Sequence, residues 1–105
     1  MIDTAVGGNP EAEEQEPSTV WVFNGGNSFP AGVFSSLAIA EEWIKQHRLT
    51  GILTKYPLDV GIYEWTVSKG YFNPKREDQK TPQFIARFSS AYQEHFHYED
   101  GSTSG

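Results

Sequence analysis

The sequence predicts a small α+β domain, with helices packed on one face of a mainly antiparallel sheet in the order β-β-α-β-α-α-β. Three observations favour this class. Segments rich in β-branched and aromatic residues are separated by glycine-containing turns, and apolar residues recur at helical spacing between them. The 105 residues, 37% of them hydrophobic, suffice for one core and leave no room for a second conventional domain.

A β-hairpin is predicted at the start of this domain. Residues 19–24 are mostly β-branched or aromatic, as is typical of strands. Residues 25–27, Gly-Gly-Asn, supply the positive-φ residues of a hairpin loop, and residues 29–35 supply the return strand.

A helix is predicted over residues 37–47, because apolar residues recur there every three or four positions. Ser35 or Ser36 is a suitable N-cap. The Thr50-Gly51 pair is expected to end the helix by the usual C-terminal glycine device.

The second half of the chain predicts three further elements. Residues 51–56 favour a third strand that Pro57 stops. Residues 60–69 fit a short helix and also fit a strand, so both remain open. Thr81 followed by Pro82 indicates a helix start, with a hydroxyl at the N-cap and proline at the first helical position.

Alternation of aromatic and polar residues over 90–98 favours a final strand with one buried face, which would hold Tyr92, Phe96 and Tyr98. Continuation of the preceding helix as far as His95 is the alternative.

The net charge of −6 arises at the ends of the chain. Residues 1–18 hold five acidic residues and no basic one, and we expect a disordered acidic tail there. Residues 99–105 are expected to form a flexible tail, which leaves a single domain over residues 19–98 with a formal charge of about +1. A charge so near zero gives no support to nucleic-acid binding.

Composition also bears on location. The chain has no cysteine, no apolar run long enough to span a bilayer, and no basic-then-apolar pattern of a signal peptide. These features predict a cytoplasmic protein without disulfides or membrane contacts.

Seven strings in a fixed order carry a family resemblance. They are VWVF (20–23), FPAGVFSS (29–36), AEEWI (40–44), LTKYP (53–57), YEW (63–65), GYFNPK (70–75) and RFSSAYQEHFHYEDG (87–101). Over residues 19–101 the chain resembles a family of small bacterial proteins classed as a domain of unknown function. The resemblance implies a bacterial, soluble, single-domain protein and carries over no catalytic residue.

One arrangement suggests metal chemistry. On a strand, His95, His97 and Glu99 would share a face, and two imidazoles with a carboxylate can hold a divalent metal. The alternative is a solvated or hydrogen-bonded histidine pair on the outer face of an edge strand. On a helix the two rings would point apart.

A second arrangement suggests partner binding. Tyr71 and Phe72 lie beside the basic residues Lys75 and Arg76, and Tyr and Arg are enriched at interface hot spots. A merely solvated loop is the alternative.

No nucleophile elbow, phosphate loop or cofactor motif is present in the sequence. The leading interpretation is therefore a non-enzymatic module that binds an unknown protein partner, in an accessory, regulatory or immunity-like role, without a cofactor. The alternative is a metal-binding protein or metal-dependent enzyme that uses His95 and His97. An exposed edge strand makes a homodimer as plausible as a monomer.

Overall fold

A computed structural model describes residues 18–104, which form a five-stranded antiparallel sheet in the order β2-β1-β3-β4-β5 and three α-helices. The strands are β1 (Thr19–Asn24), β2 (Gly32–Phe34), β3 (Gly51–Pro57), β4 (His95–Glu99) and β5 (Ser102–Thr103). The helices are α1 (Leu37–His47), α2 (Ile62–Ser68) and α3 (Pro82–Arg87), preceded by a 3₁₀ turn over Glu77–Lys80. The α+β class and the antiparallel sheet are confirmed.

The predicted acidic tail, residues 1–18, lies outside the described residues except for Ser18. The carbonyl of Ser18 accepts a hydrogen bond from the backbone N–H of Leu58 at 2.7 Å. This bond ties the start of β1 to the residue that follows β3.

The core lies between α1 and one face of the sheet, here called the inner face. Phe23 pairs with Leu53, and Leu53 pairs with Phe96, so these side chains share the inner face across three strands. Ala40 and Ile44 of α1 pack onto them and are fully buried. The opposite side of the sheet is called the outer face.

Helix α1 begins as predicted and ends differently. The hydroxyl of Ser36 accepts a hydrogen bond from the N–H of Ile39 at 3.2 Å, which is an N-cap. At the other end, Arg48 rather than glycine adopts the left-handed conformation, with φ 55°. Gly51 is already in β3, where a Cβ would lie 2.5 Å from the carbonyl oxygen of Asn24. Close strand approach, not helix termination, is therefore what this glycine permits.

The folded part of the chain extends beyond residue 98, where the sequence places the end of the domain. Strand β4 runs to Glu99, and Ser102–Thr103 pair with it as β5 through a two-residue turn at Asp100 (φ 54°) and Gly101 (φ 89°). Positive φ at both turn positions is the type I′ pattern that suits antiparallel hairpins. Part of the segment that the sequence predicts to be a flexible tail is thus a hairpin.

The turn at 100–101 also contacts the end of α1. The N–H of Gly101 donates to the carbonyl of Leu49 at 2.9 Å, and the guanidinium of Arg48 makes two hydrogen bonds to the carboxylate of Asp100. A side chain at Gly101 would meet the Cα of Arg48 at 3.1 Å. This contact joins the last hairpin to the helix.

Residues 62–92, here called the aromatic lobe, connect β3 to β4. The open choice at residues 60–69 is resolved as helix α2, which is followed by Gly70 in the left-handed region at φ 79°. The hydroxyl of Thr81 accepts from the N–H of Phe84 at 3.2 Å, so α3 has the predicted N-cap. The final strand starts at His95, not at residue 90, because Tyr92 stacks on Tyr71 of the lobe instead of joining the sheet.

Candidate functional site

The predicted binding residues lie in the aromatic lobe, and one of them is part of its packing. The rings of Tyr63, Phe72, Phe84 and Phe88 all contact one another, with centroids 5.0 to 6.2 Å apart. Phe72 is half-buried in this cluster. Its ring therefore stabilises the lobe and presents less surface to a partner than the sequence suggests.

Tyr71 is exposed, and it has a partner that the sequence analysis assigned to a strand. Its ring stacks on that of Tyr92, with centroids 4.4 Å apart and planes 13° apart. The exposed fractions of Tyr71 and Tyr92 are 47% and 64%. Trp65 meets Tyr71 edge-on at 5.9 Å. The result is a pre-stacked pair of exposed aromatic rings.

The two basic residues predicted to bind a partner, Lys75 and Arg76, differ in their electrostatics. Arg76 forms an ion pair with Asp78 at 3.0 Å, and this guanidinium holds the pKa of the Asp78 carboxyl below its usual value. The side-chain oxygen of Gln79 accepts hydrogen bonds from the backbone N–H groups of Lys75 and Arg76. The loop is thus held in shape, and much of the charge of Arg76 is compensated within it.

The histidine pair lies on the outer face of β4, as the strand alternation predicts. His95 pairs with Thr54 and His97 with Ile52, both in β3. Both histidines are exposed, and their ring centroids are 5.4 Å apart at an interplanar angle of 70°. The Nδ1 of His95 lies 2.8 Å from the carbonyl oxygen of Gln93. Because a carbonyl only accepts, Nδ1 carries the proton and Nε2 of the neutral ring has the free lone pair.

The third predicted ligand does not complete a metal site. Within residues 18–104, no group of three or more His, Asp or Glu side chains is arranged to hold a metal ion. Glu99 follows the histidines on the same strand, yet the structure does not bring it into one ligand set with them. Metal binding by this pair stays a prediction that rests on two ligands.

A groove runs along the outer face beside the histidines, and the sequence analysis did not foresee it. A first section of about 210 Å³ adjoins a second of about 340 Å³, and Thr54 and Tyr56 line both. The first section is lined further by Ile52, Ser90, Ala91, His95 and His97. The second reaches the β1–β2 loop at Ser28 and Pro30. Alternation along β1 and β3 indicates which of their residues reach the outer face. Ser90 and Ala91 also line the groove, and their position there depends on tertiary structure, which the local sequence does not reveal.

The largest shift in pKa belongs to Tyr98 in the core, which is part of neither the Tyr71–Tyr92 pair nor the groove on the outer face. The hydroxyl of Tyr98 donates to a carboxylate oxygen of Glu41 at 2.6 Å, and only 4% of Tyr98 is exposed. Burial, and then the contact with Glu41, raise the pKa of the Tyr98 phenol far above its usual value. This contact joins β4 to α1 and is structural.

No helix in the described part of the chain is long and apolar enough to cross a membrane. A family model described as a domain of unknown function, DUF7710, matches residues 20–104, and the chain belongs to this family. The match agrees with the resemblance in extent and in the kind of family. Neither the comparison with curated proteins nor that with solved structures gives a significant match.

Proposed function

We propose that this member of the DUF7710 family is a non-enzymatic protein-interaction module, and that its partner contacts the exposed rings of Tyr71 and Tyr92. One observation carries the proposal: two aromatic rings stack on each other at 4.4 Å while about half or more of each remains exposed. Tyrosine is enriched at binding hot spots because its ring buries a large area and its hydroxyl still finds a hydrogen bond.

The stacking lowers the cost of binding at this surface. Two exposed tyrosines normally lose rotamer freedom when a partner orders them, at about 0.5–1.5 kcal/mol for each side chain. Here Tyr71 and Tyr92 already hold each other, and Trp65 holds Tyr71 from its edge. Much of that ordering is complete before a partner arrives.

Lys75 is the basic residue that we assign to this surface. It is exposed and follows Tyr71 by four residues, whereas the charge of Arg76 is compensated by Asp78. The partner chemistry that fits is a protein surface with an apolar recess for the rings and a carboxylate for Lys75. An accessory, regulatory or immunity-like role in the cytoplasm belongs to the same proposal, and the family resemblance supports only its bacterial origin.

The test is affinity capture with the full chain as bait, compared with a tyrosine double variant and a control variant. Tyr71→Ala with Tyr92→Ala removes the stacked pair. Phe29→Ala is the matched control, because Phe29 is the most exposed aromatic ring, at 82%, and lies in the β1–β2 loop. We expect a captured protein to be lost with the double variant and retained with Phe29→Ala.

A charge-reversal pair then tests the assignment of the basic residue. Lys75→Glu is expected to weaken capture strongly, and Arg76→Glu weakly. If every captured protein binds the tyrosine double variant as well as the unchanged chain, while the melting temperatures match, the proposed surface is wrong.

A second candidate function is metal binding through His95 and His97. The observation that favours it is the hydrogen bond from Nδ1 of His95 to the Gln93 carbonyl, since metal-binding histidines usually donate their other ring N–H to such an acceptor.

A further inference from the structure

We propose that two copies of this chain share one divalent transition-metal ion, such as Zn²⁺, with His95 and His97 of each copy as its four ligands. The inference deepens the metal-binding candidate and is independent of the Tyr71–Tyr92 surface. It makes the metal the link of a homodimer, not a cofactor enclosed by one chain.

The spacing of the two rings fits a common ion. In a tetrahedral zinc site each Zn–N bond is about 2.0–2.1 Å, which puts the centres of two bound imidazoles roughly 5 Å apart. The centroids of His95 and His97 are 5.4 Å apart in the absence of any ion. The spacing of the two ring centres therefore already matches that of two imidazoles on one metal ion.

The tautomer of His95 is already set for coordination. Nδ1 donates to the carbonyl of Gln93 at 2.8 Å, which leaves Nε2 as the available ligand atom. Only 4% of Gln93 is exposed, so the acceptor is held by a buried residue. A hydrogen bond of this kind orients a ligating ring and raises its basicity.

Two histidines make up half of a tetrahedral set, and residues 18–104 do not supply the rest. A two-fold axis through the ion would supply it, because each copy brings the same two rings. The arrangement needs both histidines to be accessible, and both are exposed on the outer face.

The surface around the histidines suits contact with the same surface of a second copy of the chain. Opposed outer-face residues of β1 and β3 are uncharged: Val20 with Tyr56, Val22 with Thr54, and Asn24 with Ile52. Two such faces would meet without like-charge repulsion from these strands. Ile52, which is 39% exposed, pairs directly with His97, so its apolar surface would be covered next to the ion.

Charge on the same strand also favours a cation. Glu99 is the next residue of β4 on the side of His95 and His97, and it is exposed. Its carboxylate is not one of the ligands, but it adds a negative charge to the strand face that carries them, and this charge favours a cation there.

The experiment measures the molar mass of the full chain by light scattering after gel filtration, first in EDTA and then with increasing ZnCl₂. We expect a monomer in EDTA and a dimer once one zinc ion is present for every two chains, and we expect EDTA to reverse the change. His95→Ala and His97→Ala should each abolish the zinc-dependent dimer. His47→Ala, which removes the exposed histidine of α1, is the matched control and should leave it intact.

Four outcomes would overturn the inference. The first is that the chain does not bind zinc, and the second is that the dimer persists in EDTA. The third is that a monomer binds one zinc ion per chain. The fourth is that the chain stays monomeric with zinc and loses its zinc binding in the Glu99→Gln variant. The variant with Tyr71→Ala and Tyr92→Ala should still dimerise with zinc. Failure of the metal bridge is therefore distinguishable from failure of the proposed partner surface.

Discussion

The sheet core and the aromatic lobe bury their apolar groups in different ways. In the core, Ala40, Ile44 and Leu53 are fully enclosed between α1 and the inner face. In the lobe, only Thr66 is buried among residues 62–92, and the clustered rings are half-buried. The core is stabilised by exclusion of water, and the lobe by ring-to-ring contacts worth about 0.5–1.5 kcal/mol per pair beyond area. Rigid packing thus supports the sheet, while the exposed candidate partner surface lies in the less enclosed region.

The largest expected effect comes from truncating one residue in each region. Leu53→Ala should lower the free energy of unfolding by about 3 kcal/mol, because it leaves a cavity in an enclosed site. Phe88→Ala should cost about half as much, because its ring is already half-exposed. Urea denaturation followed by tryptophan fluorescence measures both losses. Equal losses would show that the lobe is as tightly packed as the core.

The two helix caps offer a matched comparison, since the Ser36 and Thr81 hydroxyls each accept one backbone hydrogen bond at 3.2 Å. Replacement of either by alanine should cost about 1 kcal/mol. Ser36→Ala is expected to lower global stability. Thr81→Ala is expected to speed hydrogen exchange in α3 while exchange in α1 stays unchanged. Faster exchange in both helices would mean that lobe and core open together.

Titration of Tyr98 reports on the core alone. The raised pKa of its phenol means that the folded chain keeps a proton that the unfolded chain releases above about pH 10. Stability from this group is therefore fully present at neutral pH and falls as pH rises above about 10. Tyr98→Phe should remove this part of the alkaline loss, at a cost below about 1 kcal/mol at neutral pH. Urea midpoints at neutral and alkaline pH check both statements, and an unchanged alkaline loss in the variant would contradict them.

The smallest effect is expected at the contact between Arg48 and Asp100. Their side chains are 73% and 63% exposed, and exposed ion pairs contribute little because water and salt screen them. Asp100→Asn should shift the melting temperature only slightly, and added salt should remove the difference. A large shift would mean that the charge pair, and not the backbone bond of Gly101, holds the hairpin to α1.

Local signals were sufficient for much of the fold. Strand β1, the cap at Ser36 and the cap at Thr81 follow from residues adjacent in sequence, and so were predictable. The end of α1 at Arg48 was not, because arginine instead of glycine holds the left-handed position there, and the contact of its side chain with Asp100 joins residues 52 positions apart. Long-range contacts of this kind have no local signature.

The same distinction applies to the candidate sites. Strand alternation correctly places His95 and His97 on one face, because successive side chains of a strand point to opposite faces and this pattern needs no distant contact. The stack of Tyr71 on Tyr92 joins residues 21 positions apart, and alternation alone assigned Tyr92 to the sheet. Likewise, the burial of Phe72 depends on α3, which the loop sequence does not reveal.

The position of β4 has a consequence for synthesis of the protein. Phe96 of β4 stacks on Trp21 of β1, with centroids 5.9 Å apart, so one side of the core is supplied by residues translated about 75 positions after the other. Chains emerge from the ribosome N-terminus first. Until β4 has emerged, α1 already covers the inner face, but Trp21 lacks the ring that stacks on it and β3 has an unpaired strand edge. The core is therefore completed only when β4 has emerged, and until then the free edge of β3 is open to pairing with another chain.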